Sequence, residues 1–247
     1  MIVFPMAGLS SRFTRAGYDR PKWMLPLADR PLLDWSLLGF REMFGREPFL
    51  IVHLDMPGVA DFVRERVAAL GIRRAELVPL SAPTRGQADT VALGLDAARP
   101  DAAEPLTIFN IDTIRPGYRP PAVLGSCDGW LECFDGEGDH WSFVRPVEGS
   151  ADRAAQVTEK VRVSSLCCTG LYHFGSVQTF RDALTAEEAK PSAKELFVAP
   201  MYQHMIEAGQ DVRYGVIGPD EIFFSGTPDE YQAALKDTDA LKAAFPD

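Results

Sequence analysis

The sequence predicts an α/β fold: a mixed sheet with a parallel, Rossmann-type half, flanked by helices on both faces. Two observations carry that expectation. Short unbroken apolar runs alternate with amphipathic helical stretches through the first half, the pattern of parallel strands buried on both faces. Beyond residue 125, strand-like segments follow one another across loops rich in Gly, Asp and Glu, which adds an antiparallel extension. With 247 residues, 46% of them apolar, the chain is long enough to bury one substantial core.

Taken in order, residues 2–4 are β-formers, and Pro5, which has no N–H to give to a ladder, is expected to end that strand. Pro31 opens a mostly apolar helix through Leu32, Leu33, Trp35, Leu37, Leu38 and Phe40, running to Phe44 and stopped by Gly45. Residues 49–52 form a continuous apolar strand, 57–70 an amphipathic helix closed by Gly71, and 75–80 the next strand. Residues 87–98 read as helix and 106–109 as another buried strand. In the second half the strand candidates are 130–134, 141–144, 155–158 and 164–174. Helices are expected over 177–184 and 193–208, and strands over 212–217 and 222–224. Thr227 is a good N-cap for a last helix, with Pro228 first and Asp229 and Glu230 in its acidic first turn. One domain, 1–247, is expected, with a division near Gly125 into halves 1–125 and 126–247.

Composition narrows the function. A formal net charge of -10 and a pI near 4.9 argue against a nucleic-acid or anionic-membrane surface, either of which needs clustered Lys and Arg. Cys127, Cys133, Cys167 and Cys168 lack C-x-x-C pairing, so buried free thiols are expected rather than a zinc site or a disulfide framework. His53, His173 and His204 fall in predicted strands and a helix without metal-ligand pairing. No basic leader precedes the first apolar run and no apolar stretch approaches ~18 residues, so neither a signal peptide nor a membrane span is expected, and a cytoplasmic location is.

The stretch that carries chemistry follows the first strand. In Ala7-Gly8-Leu9-Ser10-Ser11 the glycine permits close ligand approach, and successive N–H groups of such a turn can form a nest for anionic oxygens. Arg12 adds a planar fork suited to phosphate and Lys22 a compact point charge, a combination that suits a polyphosphate. The turn matches neither G-x-x-x-x-G-K-[ST] nor G-x-G-x-x-G. Further on, Asp112 follows a buried strand, where a hard carboxylate can hold Mg²⁺ against phosphate oxygens. Gln87 offers both a donor and an acceptor at the start of a helix.

These residues stand in an order that resembles the sugar-1-phosphate nucleotidyltransferases. Gly8-Leu9-Ser10-Ser11-Arg12, with Lys22 ten positions on inside Pro21-Lys22-Trp23-Met24-Leu25-Pro26-Leu27, is similar to that family's G-x-G-[ST]-R…P-K-x-x-L-P signature, Leu9-Ser10 replacing its second glycine. Thr84-Arg85-Gly86-Gln87-Ala88-Asp89-Thr90 resembles its base-recognition loop, and Phe109-Asn110-Ile111-Asp112-Thr113 its strand-end metal motif. Val157-Thr158-Glu159-Lys160 with Gly170-Leu171-Tyr172-His173-Phe174 resembles its V-x-E-K-P…G-x-Y-x-F pair, Val161 replacing the proline, and Trp141-Ser142-Phe143-Val144 resembles its Y-G-V-V element.

The resemblance implies a GT-A-like fold with a nucleotide-binding half (1–125) and an acceptor-binding half (126–247). The implied reaction moves an NMP from an NTP to a phosphorylated acceptor, a sugar 1-phosphate, releasing pyrophosphate and supplying cell-surface polysaccharide precursors. It implies Arg12, Lys22 and Asp112 in catalysis; Ala7, Gly8, Leu9, Ser10, Ser11, Gly86, Gln87 and Asn110 on the nucleotide; and Ser142, Glu159, Lys160 and Gly170 on the acceptor. It also implies Mg²⁺. Where the family carries W-x-D-x-G-T, Phe224 replaces the second metal-binding Asp. Asp220, four residues upstream, is then one candidate ligand, and a shell completed by phosphate and water is the other. Two rival readings are a nucleotide-sugar-dependent glycosyltransferase, disfavoured by Lys22 and the Glu159-Lys160 pair, and a non-catalytic nucleotide-sugar-binding regulatory domain, motivated by Phe224. The sequence does not set the oligomeric state.

Overall fold

A computed structural model describes residues 1–246. The first half runs β1 (Ile2–Met6), α1 (Ser11–Arg15), β2 (Pro26–Leu27), β3 (Arg30–Pro31), α2 (Leu32–Leu38), β4 (Phe49–Leu54), α3 (Val59–Ala69), β5 (Ala75–Leu80), α4 (Gln87–Ala98), β6 (Leu106–Phe109) and β7 (Thr113–Ile114). The second half runs β8 (Gly129–Asp135), β9 (Ser142–Pro146), β10 (Ala154–Glu159), β11 (Leu166–Phe174), α5 (Val177–Ala189), α6 (Met201–Glu207), β12 (Val212–Ile217), β13 (Phe223–Phe224), α7 (Pro228–Lys236) and α8 (Thr238–Ala243).

One nine-stranded sheet spans both halves in the order β10-β9-β11-β6-β1-β4-β5, with β8 pairing β11 and β12. β6, β1, β4 and β5 are parallel, and β11 joins β6 antiparallel, so the mixed α/β expectation is met. Alternation along the strands gives each face its own core. Val3, Leu50 and Val52 pack with Ala88, Val91 and Leu95 of α4, whereas Ile2, Phe4, Phe49 and Ile51 pack with Leu33 and Leu37 of α2 and Val59 and Val63 of α3. Each large side chain fully buried this way, such as Phe4, contributes roughly 1.5–3 kcal/mol. All four cysteines are free and buried. Among the described residues no helix is long and apolar enough to cross a membrane.

At three boundaries a tertiary contact overrides a local signal. β1 runs through Pro5 to Met6. Ile2 donates to Pro48 O and N–H directions alternate along a strand, so the missing N–H of Pro5 faces β6, whose pairing with β1 has ended at Val3. The helix from Leu32 ends at Leu38 rather than Phe44: Gly39 packs on Arg115, where a β-carbon would lie 2.4 Å from the carbonyl oxygen, and only a single 3₁₀ turn, Arg41–Met43, follows. Helix over 193–208 shrinks to α6, because the backbone of Leu196 is engaged elsewhere, its N–H on Arg85 O at 3.0 Å and its carbonyl on Ala88 N–H at 2.9 Å.

Candidate active site

A cavity of about 550 Å³ opens where β1 and β6 end and is walled by β9–β11 from the other half. Ligand clefts of α/β sheets lie at these carboxyl ends. Ala7, Gly8, Leu9, Ser10, Ser11, Arg12, Lys22, Gly86, Gln87, Asn110, Asp112, Ser142, Glu159, Lys160 and Gly170 all line it. The chain thus brings together residues separated by more than half its length.

The turn after β1 is held by Ser10, whose backbone sits in the left-handed region (φ 50) and whose hydroxyl accepts from the Lys22 N–H at 3.3 Å. That bond ties the two cationic segments together. Lys22 Nζ in turn lies 2.5 Å from Asp112 Oδ2. Burial pushes the Asp112 carboxyl up, but the Lys22 ammonium, aided by Arg12, more than offsets this and holds it below the ordinary carboxylate range. Asp112 therefore stays ionised at neutral pH.

Gly86 opens α4 at φ 152, where a β-carbon would lie 2.5 Å from Leu196 O; only glycine lets the 191–200 segment close on this loop. Arg85 clamps the same junction, 2.6 Å from Asp89 Oδ1 and 2.7 Å from Glu188 Oε1. Gln87 donates through Nε2 to Asn110 Oδ1, and the Asn110 N–H donates to Gly170 O at 3.1 Å. The β11 register shifts between Cys168 and Tyr172, and Gly170 sits in that irregularity against Asn110.

At the other end Ser142 and Glu159 face each other across β9 and β10, and the Ser142 hydroxyl donates to Glu159 Oε2. Lys160, at φ 56, places Nζ 3.5 Å from Glu159 Oε1 and 4.3 Å from the centre of the Phe197 ring. Lys160 thus lines the cavity from a left-handed backbone, a strain of order 1 kcal/mol for a non-glycine residue.

Asp220 does not join this set. It is exposed on the turn Pro219–Glu221 and does not line the cavity. Phe224 does line it, packed against Trp141 with ring centres 4.9 Å apart and against Phe134 at 5.1 Å. Among the described residues no three His, Cys, Asp or Glu side chains cluster to hold a metal. Sequence reasoning missed His140, Glu195, Phe197 and Glu230 as lining residues. Glu195 and Phe197 were hidden by the expected helix over 193–208, and Glu230 by its evident capping role.

No family model matches the chain. It is 32% identical over 195 residues to a 2-C-methyl-D-erythritol 4-phosphate cytidylyltransferase from Cereibacter sphaeroides, covering 74% of this chain and 75% of that one. It superposes on a nucleoside-diphosphate-sugar pyrophosphorylase from Vibrio cholerae RC9 with a TM-score of 0.92 and 41% identity, covering 96% of this chain and all of the other. The inositol-1-phosphate CTP transferase of T. maritima shares the fold, with a TM-score of 0.74 at 14% identity, covering 100% of this chain and 97% of the other.

Proposed function

This chain belongs to the nucleotidyltransferase family that includes nucleotide-sugar pyrophosphorylases and cytidylyltransferases, and from that premise we propose that it transfers an NMP from an NTP to a sugar 1-phosphate, releasing pyrophosphate. One observation carries the reading: the Arg12, Lys22 and Asp112 group from residues 1–125 and the Ser142, Glu159 and Lys160 group from 126–247 line a single cavity. A triphosphate and a phosphorylated acceptor can then be held in contact. We assign the first half to the nucleotide and the second to the acceptor, and place the enzyme in the cytoplasm, supplying nucleotide-sugars for cell-surface polysaccharide.

Catalysis is positioning and charge neutralisation. An ionised oxygen of the acceptor phosphate attacks the α-phosphorus in line; the new P–O bond forms as the bond to the β-phosphate bridging oxygen breaks, and pyrophosphate leaves. Arg12 and Lys22 stabilise the charge on the β- and γ-phosphates, Gln87 faces the base, and Glu159 and Ser142 accept from acceptor hydroxyls while Lys160 neutralises the acceptor phosphate. No covalent intermediate or general base is needed, because the nucleophile is already an anion.

The residues at Asp112 fit Mg²⁺: the donor is a hard carboxylate held ionised, a cation, the Lys22 ammonium, already rests on it, and beside it Gly226 leaves a cradle where a β-carbon would lie 2.7 Å from Oδ2. When bound, the ion supplies charge neutralisation at the phosphates. Incubating the protein with each of the four NTPs and a panel of phosphorylated acceptors, and assaying pyrophosphate, tests the function; release that needs no acceptor would defeat it.

A further inference from the structure

A second carboxylate reaches the Asp112 end of the cavity from an unexpected place. Glu230 is the third residue of α7, and it forms a reciprocal cap with Thr227: its N–H donates to Thr227 Oγ at 3.2 Å, and its Oε2 accepts from the Thr227 N–H at 2.9 Å. The second of these bonds folds the side chain back over the start of the helix, and Glu230 lines the cavity. The cap uses one carboxylate oxygen and leaves Oε1.

Gly226 shows where that carboxylate points. A β-carbon built there would lie 2.7 Å from Asp112 Oδ2 and 3.4 Å from Glu230 Oε2, so the two acidic groups close on the same small space from two sides. Ser225 fixes the arrangement: its N–H and hydroxyl both donate to Asp112 O at 2.9 Å, tying the 225–227 turn to the segment between β6 and β7. Two carboxylates brought together repel unless a cation lies between them. The Lys22 ammonium lies against Asp112.

We propose that Glu230 is the second acidic group serving the divalent cation, in place of the carboxylate that Phe224 removes. Asp112 ligates the ion, and Glu230 accepts hydrogen bonds from its water, an arrangement suited to an ion that keeps several waters and needs one or two carboxylates beside substrate phosphates. The inference rests on reading the cavity as an NTP site, and it gives the capping residue a charge-dependent role.

Glu230→Gln is the variant that separates the two roles, because the amide oxygen still accepts from Thr227 N–H while the charge is lost. Mn²⁺ binding to the full chain is followed by electron paramagnetic resonance, with and without an α,β-methylene NTP. Metal affinity should fall roughly fivefold, the worth of one solvent-screened charge contact, with the melting temperature and the metal-free nucleotide affinity unchanged. Asp229→Asn removes the same charge from the same turn on an exposed side chain, and should leave Mn²⁺ binding alone. Thr227→Ala removes only the hydroxyl half of the cap and keeps the backbone N–H bond that holds the carboxylate, so it should lower the melting temperature without weakening Mn²⁺. Wild-type affinity in Glu230→Gln overturns the proposal, as does an equal loss in Asp229→Asn or Thr227→Ala. If the analogue fails to bind wild-type protein the NTP reading fails instead, and the nucleotide-free Mn²⁺ comparison still decides the role of Glu230.

Discussion

Lys22 Nζ sits 2.5 Å from Asp112 Oδ2, so the cation assigned to the triphosphate and the carboxylate assigned to the metal neutralise each other. Both side chains are about four-fifths buried, at 20% and 23% exposure. On the proposed reading, the nucleotide-free protein would hold a metal only weakly, and phosphate engaging Lys22 would free Asp112 to hold it.

Lys22→Ala tests this competition. Without its ammonium, Asp112 is open to a cation in the nucleotide-free protein, and Mn²⁺ affinity should rise roughly fivefold, the worth of a screened ion pair. Turnover should nonetheless drop by about 10²–10³, the scale for one preorganised charge-stabilising group. Unchanged metal affinity would mean the ion pair does not gate the site.

Lys160 should serve the acceptor alone. It follows β10 with its ammonium near Glu159 and the Phe197 ring, in the half opposite the Ala7–Ser11 turn. Calorimetry on Lys160→Ala should show acceptor binding weakened about tenfold or more, as for a lost charge-assisted contact, with NTP affinity kept. The reverse pattern would exchange the two ends of the cavity.

One buried histidine is expected to make the fold sensitive to acid. His173 on β11 shares a hydrogen bond of 3.0 Å with Thr107 Oγ1, while its Nε2 has no partner among the described residues. Burial pulls its pKa down to about 4. An unfolded histidine titrates near 6.5, so between those values the unfolded chain holds more protons and stability must fall as pH drops. The loss across the window is about 3 kcal/mol. Urea melts of His173→Gln at pH 7 and pH 4.5 should show a flatter pH dependence than wild type; equal slopes would place the acid sensitivity elsewhere.

Much of this was legible in the chain. The strands at 75–80, 106–109 and 212–217 and the helix at 87–98 agree with observation because short apolar runs and helix starts are local signals. Pro5, Gly39 and Leu196 misled for the opposite reason, since each is set by a partner far along the chain: the end of β6, the Arg115 carbonyl and the Gly86 loop. At the site, the Ala7–Ser11 turn, Arg12, Lys22 and Asp112, all of which line the cavity, were visible as residue types at a spacing. Glu230 was not, because one side chain both caps a helix and faces a cavity, and Thr227-Pro228-Asp229-Glu230 announces only the cap.

The central claim, transfer between two substrates held in one cavity, is tested most directly by following an α-labelled NTP with and without a sugar 1-phosphate. The label should pass to the sugar phosphate, in amounts equal to the pyrophosphate released, and only when both substrates are present; Arg12→Ala should slow this by about 10²–10³. Label released as free NMP, or transfer that proceeds at the wild-type rate without Arg12, would contradict the account.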